Sequence, residues 1–386
     1  MKNKRQPIEL SGILEQYGQG FLEGNTLCPV QRKAFEDIMR CRSAELGGHL
    51  EACDHCGTIR PAYNSCRNRH CPKCQYIKQV QWVDKLKAKL PPTKYFHLVF
   101  TIPAQLHPVF YLNQSKAYHL LFKAAGQALR QAAANPKFLG AQTGAVAVLH
   151  TWGQTLNYHP HIHMIVPAGG LSEDSMEWIP SDKRFFLPVK ALGNMFRGIL
   201  CHMLEKAAET KNIKLPDNLS SFAQLKPLLY RKPWNVYAKK PLAGPERVIE
   251  YLGKYTHRVA ISNHRLVDCD NGKVTFRCKD SQTGKFTRKV TLKADEFIRR
   301  FMQHILPSGF YKIRYFGIMA LGHVREKIDL CLELLQKEGY FPLYEGLPAI
   351  DTFRMVTGKD PLFCPVCKKG KMRGIPFFTD DKTKPS

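Results

Sequence analysis

The chain has 386 residues, a formal charge of +26 and a sequence pI near 9.6. A composition of 44% hydrophobic and 11% aromatic residues excludes a disordered chain, and no apolar run approaches the roughly 20 residues that a membrane-spanning helix needs. The charge excess speaks about partners, and nucleic acid is the first candidate because phosphates reward lysine and arginine through counterion release.

The basic start "MKNKRQPIEL" has no apolar region behind it, so it does not read as a signal peptide. The expected compartment is the cytoplasm, where thiols stay reduced. Thirteen cysteines then suggest metal rather than disulfides, and five of them fall between Cys53 and Cys74. Cys53-x2-Cys56 and Cys71-x2-Cys74, with 14 residues between the pairs, have the spacing of two zinc knuckles. Cys41, His49, Cys66 and His70 are a candidate second zinc set, although their spacing is not a standard one. The same region is basic, and a zinc-fixed loop carrying Arg67, Arg69 and Lys73 suits phosphate or base-edge contact. The competing reading is a solvated basic face.

"KLPPTK" (89–94) reads as a linker, after which the pattern changes. "YFHLVFTIP" is a strand stopped by proline, and "FYLNQSKAYHLLFKAAGQALRQAAA" is a helix rich in alanine, leucine and glutamine. Two strands follow, "GAVAVLHTWGQ" and "HIHMIVPAGGL", joined by a turn near Asn157. Alternation puts His159, His161 and His163 on one face of the second strand. His161 and His163 with an apolar residue between them form a candidate pair for one divalent ion. Gln154, in the preceding strand, is the expected third ligand if the hairpin brings it opposite, with His150 and His159 as rivals. An amide oxygen suits Mg²⁺ or Mn²⁺, and histidine tilts the choice towards Mn²⁺ or other transition metals.

Farther on, "VKALGNMFRGILCHMLEKAAE" and "PERVIEYLGKYTH" read as helices, the second with Pro245 in its first turn. It carries Tyr251 and Tyr255 at i and i+4, one turn apart on one face. Either both are packing residues or they are nucleophiles, with Lys254, His257 and Arg258 supplying positive charge nearby. A β-meander ("RLVDC", "KVTFRC", "KFTRKVTL"), a helix, a strand and a last helix follow. "FCPVCKKGKMR" gives Cys364-x2-Cys367, half a knuckle that would need distant partners. The interspersed helices and hairpin-joined strands make the fold class α+β with an antiparallel sheet. A metal that polarises a phosphate and a tyrosine that attacks it would together make a DNA nickase with a 5′-phosphotyrosine intermediate.

Five stretches carry a family resemblance: "GGHLEACDHCG", "YNSCRNRHCPKCQ", "HTWGQTLNYHPHIHMIVPAGG", "YLGKYTHRVAISNHRL" and "LPSGFYKIRYFGIMA". With them the chain resembles the transposases of the insertion sequence 91 family, the two-tyrosine, rolling-circle class of HUH endonucleases. The resemblance implies three units: a zinc- and DNA-binding domain over 8–92, an HUH catalytic domain with a central antiparallel sheet flanked by helices over 93–325, and a C-terminal helix with a basic, CxxC-bearing tail over 326–386. His161 and His163 match the HUH pair, and Tyr251 and Tyr255 match the tyrosine pair. The implied cofactors are structural Zn²⁺ and catalytic Mg²⁺ or Mn²⁺. The implied partners are single-stranded DNA at element ends and target, with a host helicase and replication machinery, in the bacterial cytoplasm at the nucleoid. Lys254 and Arg258 join Arg67, Arg69 and Lys73 as expected DNA contacts. The competing functions are a plasmid relaxase or replication initiator, which shares the chemistry, and a non-catalytic zinc-ribbon regulator, which has no need of the tyrosine pair.

Overall fold

The computed structural model describes residues 7–181, 188–242, 260–280 and 283–375. The helix expected over 245–257 lies outside them, and with it Tyr251, Lys254, Tyr255 and Arg258. Among the described residues, no helix is long and apolar enough to cross a membrane.

Strands in chain order are β1 (Gly48–Cys53), β2 (Ile59–Tyr63), β3 (Tyr95–Thr101), β4 (Gly144–Trp152), β5 (Tyr158–Pro167), β6 (Gly169–Leu171), β7 (Trp178–Pro180), β8 (Val236–Leu242), β9 (Leu266–Asp270), β10 (Lys273–Cys278), β11 (Arg288–Lys293), β12 (Ile313–Gly317) and β13 (Met372–Gly374). The centre is a five-stranded sheet in the order β12-β4-β5-β3-β8, antiparallel at every pairing. The fold is therefore α+β, with helices flanking a central antiparallel sheet.

Alternation along the strands assigns the two faces. Phe96, Leu98, Phe100, Ala145, Ala147, Leu149, Ile162 and Met164 point one way and are buried with the helices Gln114–Ala134 and Val189–Glu209. The first of these helices lays a run of alanines on the sheet, so its backbone comes close. Gly126 takes this furthest, since a Cβ there would stand 2.5 Å from the Phe316 ring. On the opposite face Tyr95, Val146, Val148 and Ile165 pack with Leu86, Leu90, Met319 and Cys331. Towards the other end of this face lie the histidines of β3, β4 and β5, with His97 and His150 buried.

A second core joins the N-terminal helices to residues 260–305. The N-terminal helices Leu10–Gly24 and Pro29–Met39 bury Leu10, Ile13, Leu14, Phe21, Phe35 and Ile38 against Phe276, Phe297, Ile298 and Phe301 of the meander β9–β11 and the helix Ala294–Met302. That helix is strongly two-sided, with Arg299 and Arg300 both paired to Glu296 on its outer face.

Arg265 fastens the meander to the turn between β4 and β5. It is only 2% exposed. Its Nε donates to the Arg277 carbonyl at 2.8 Å and its Nη2 to the Gln154 carbonyl, also at 2.8 Å. Arg265→Met should remove both hydrogen bonds, at about 1–3 kcal/mol for the Arg277 carbonyl and less for the Gln154 carbonyl, which keeps the Cys278 thiol as a donor. The expected result is a lower urea midpoint with an unchanged denaturant slope.

Candidate active site and metal centres

β5 carries His161 and His163 on the sheet face opposite the two long helices, with Ile162 between them buried on the helix side. The register of β4 and β5 sets His150 directly opposite His161. Ligand nitrogens of these three residues all lie within 4.8 Å of one another. The Nε2 atoms of His161 and His163 are 3.1 Å apart.

The surrounding contacts orient both rings. His161 Nδ1 lies 2.7 Å from the His159 carbonyl, which can only accept, so Nδ1 carries the proton and Nε2 presents a bare lone pair. His163 Nδ1 lies 2.8 Å from His97 Nε2, with the two rings stacked. When His163 donates there, its Nε2 is also a lone pair. Trp152 lies flat on His150, with ring centroids 4.6 Å apart. Burial holds the His161 imidazole down at about 4, so it stays neutral, the form that ligates a metal. Two lone pairs this close repel one another unless a cation lies between them. Adjacent ligands at the usual metal–nitrogen length of about 2.1 Å stand about 3 Å apart when they subtend a right angle. The donor set fits one divalent ion, and three imidazoles without a carboxylate favour Mn²⁺ or another transition metal over Mg²⁺.

Gln154 is not part of this group, contrary to the sequence expectation. The β4–β5 register shifts between His150 and Trp152, and Gln154 falls in the turn beyond the strand end. Its carbonyl accepts from Arg265 and Cys278, and its side-chain oxygen faces the Lys279 amide. The third histidine is its rival, His150. His159 packs edge-on against His107 and stays outside the group. His97, which the sequence reading passed over, is 2% exposed on β3. Its one signal is its place in an apolar strand that must pair beside the histidine strand.

The cysteines group differently from their spacing. Cys71 and Cys74 join Cys41 and Cys66, with sulfur separations of 3.4, 3.6 and 3.7 Å. A zinc–sulfur bond of about 2.3 Å makes the tetrahedral edge about 3.8 Å, so one zinc fits. Cys53 and Cys56 instead face Cys364 and Cys367. His49 pairs with Glu51 on β1 and is no ligand. His70 is no ligand either: its Nε2 accepts from the Leu306 amide at 3.3 Å. Burial and the neighbouring Arg69 hold its pKa well below the ordinary value, which preserves that acceptor.

The basic loop is partly committed to internal contacts. Arg69 donates to the carbonyls of Leu306, Pro307 and Phe310, and Lys73 pairs with Glu9. Arg67 is exposed, with a positive φ of 53°. Arg69 also lines a cleft of about 800 Å³ with Trp82, His119, Tyr311, Lys312 and Arg314, a mixture of rings and cations.

Residues 13–102 match the transposase zinc-binding domain, and residues 144–327 match the family described as putative transposase. The first match spans the Cys41, Cys66, Cys71 and Cys74 cluster, and the second spans all three clustered histidines. The protein is a transposase, an enzyme acting on DNA, with structural zinc in its N-terminal part. Over 383 residues it is 43% identical to the putative transposase y4qJ of Sinorhizobium fredii, covering 97% of this chain and 96% of that one. It is 28% identical over 368 residues to the transposase for insertion sequence element IS801 of Pseudomonas savastanoi pv. phaseolicola, covering 91% and 87%. The chain belongs to the insertion sequence 91 family of transposases. No solved structure matches it.

The histidine geometry sets an order of effects on Mn²⁺ affinity measured by calorimetric titration. His97→Ala, which removes only the partner of His163, should weaken binding by about 10–100-fold. His150→Ala should weaken it by more than His97→Ala, and Gln154→Ala should leave it unchanged.

Proposed function

We propose that this transposase nicks single-stranded DNA at element ends and target by HUH-type chemistry, through a 5′-phosphotyrosine, and moves its element by a rolling-circle route. The observation that carries this reading is the convergence of His150, His161 and His163 on one spot of the sheet face opposite the long helices. A divalent ion held there would withdraw charge from the scissile phosphate.

The sequence supplies the nucleophiles, Tyr251 and Tyr255. The phenol oxygen of one attacks phosphorus, the bond to the 3′ oxygen breaks, and that oxygen leaves as a 3′-hydroxyl after taking up a proton. The 5′ phosphate stays on the tyrosine, so the phosphodiester energy is kept and no ATP is consumed. The second tyrosine takes a later cleavage, which lets two 5′ ends be held in turn. No GxxxxGK[ST] loop occurs in the chain, so strand separation falls to a host helicase.

The described residues around the histidines suit an unpaired strand. Tyr237 on β8 lies opposite Val99, which in turn lies opposite His163, so the ring shares the histidine face. It is 57% exposed, a platform on which a base stacks. Lys254, Arg258 and Arg67 add cations for the backbone.

The test uses a labelled single-stranded end oligonucleotide and denaturing gels. Tyr251→Phe/Tyr255→Phe should abolish the covalent adduct, and each single variant should retain it in part. His161→Ala/His163→Ala should lower Mn²⁺-dependent nicking by more than about 100-fold, beyond the cost of losing a supporting partner. An adduct that persists in the double phenylalanine variant would sink the tyrosine assignment.

A further inference from the structure

Cys364 and Cys367 lie far beyond the 13–102 match to the zinc-binding domain, yet they complete a four-thiol cluster with Cys53 and Cys56. We propose that these four cysteines bind one zinc ion of their own and that this ion clasps residues 359–375 onto the N-terminal module.

The sulfur geometry supports this directly. Cys53 and Cys367 stand 3.7 Å apart, as do Cys56 and Cys364. That is close to the roughly 3.8 Å edge of a zinc tetrathiolate and far beyond the roughly 2.05 Å of a disulfide.

The two CxxC loops are built alike. In the first, the Cys53 amide donates to the Thr58 carbonyl and the Gly57 amide to the Cys53 carbonyl. In the second, the Cys364 amide donates to the Gly370 carbonyl and the Lys368 amide to the Cys364 carbonyl. Gly57 and Lys368 hold the same turn position, both left-handed, at φ of 69° and 56°. Backbone amides also point at sulfur in each loop: those of His55 and Cys56 at Cys53, and that of Gly370 at Cys367. A pair of such knuckles is the frame of a zinc ribbon. Its strands are present too, because β13 pairs with β1 and puts Met372 opposite Cys53. The loops meet at Gly370, where a Cβ would stand 2.6 Å from the Cys53 sulfur.

Apart from the β1–β13 ladder, little apolar packing holds this unit closed. Its buried cluster is Cys53, Cys364 and Met372, with Cys367 packed at its edge. The exposed Asp54 adds an ion pair with Arg373 and accepts from the Lys371 amide. So small an apolar core needs a staple, and zinc bound by four thiolates is one. The ligands come from opposite ends of the chain, so the ion closes a loop of about 300 residues by the numbering of Cys56 and Cys364.

The full chain tests this by zinc analysis, cobalt substitution and trypsin. Wild type should hold two zinc ions. Cys364→Ser/Cys367→Ser and Cys53→Ser/Cys56→Ser should each hold one, with half the cobalt–thiolate absorption. The remaining ion on Cys41, Cys66, Cys71 and Cys74 reports that the N-terminal module is still folded. Trypsin should cut between Lys359 and Arg373 at least several-fold faster in both variants. The proposal fails if Cys364→Ser/Cys367→Ser keeps the wild-type zinc content. It also fails if Cys53→Ser/Cys56→Ser and Cys71→Ser/Cys74→Ser remove the same single ion.

Discussion

The pairing of β4 with β5 sets His150 opposite His161, and the site depends on that register. With a side-chain period of two, a slip of one residue would turn His150 towards the helices and bring Leu149 to the histidine face. The register is held by what the other side of the sheet buries. Ala147, Leu149, Ile162 and Met164 fill the core under the two long helices and have no alternative position. β3 adds His97 from the neighbouring strand and makes the ring of His163 a supported one. Three ligands and a supporting partner thus come from strands whose order is fixed by ordinary apolar packing.

The local part of this site was legible in the sequence and the non-local part was not. Alternation alone puts His161 and His163 on one face, because a strand's geometry is a property of neighbouring residues. The third ligand depends on where a hairpin irregularity falls, and hydrophobic pattern carries no sign of it. A regular hairpin would have continued β4 through Gln154. The shift after His150 ends the strand at Trp152 and sends Gln154 to Arg265 and Cys278 instead. The cysteines show the same limit. A CxxC pair announces half a site by its spacing, but its partner is chosen by the fold. Residues 53 and 56 found theirs more than 300 positions away, while 71 and 74 found Cys41 and Cys66. The antiparallel sheet and the meander were readable because strands and tight turns are local. The shared core of the N-terminal helices with Phe276, Phe297 and Phe301 was not.

The net charge of +26 divides into two populations. Some cations are internal ties: Arg265 to the carbonyls of Gln154 and Arg277, Arg69 to three carbonyls, and Lys73 to Glu9. A buried arginine with several carbonyl acceptors positions backbone in places where no strand ladder can. Others, such as Arg67, are exposed, where a cation is available to a phosphate backbone. A basic residue in a zinc-fixed loop is therefore not a DNA contact by location alone. Arg67 and Arg69 are two positions apart and belong to different populations.

Arg69 also explains how the thiol cluster and the histidine face become one object. The loop from Cys66 to Cys74 is pinned at its ends by the thiol cluster and braced by Asn68, which donates to Asp37. From its middle, Arg69 and His70 reach across to Leu306, Pro307 and Phe310. Those residues lead directly into β12, whose Ile313 pairs with Val148 of β4, and the Leu149 amide donates to the Lys312 carbonyl. His150 is the next residue. The path from the thiol cluster to His150 is thus a short run of hydrogen bonds and one strand pairing. A zinc module joined only through "KLPPTK" would reorient freely against the sheet. Braced in this way, the loop that carries Arg67 is tied to the strand next to His150 through Arg69 and His70.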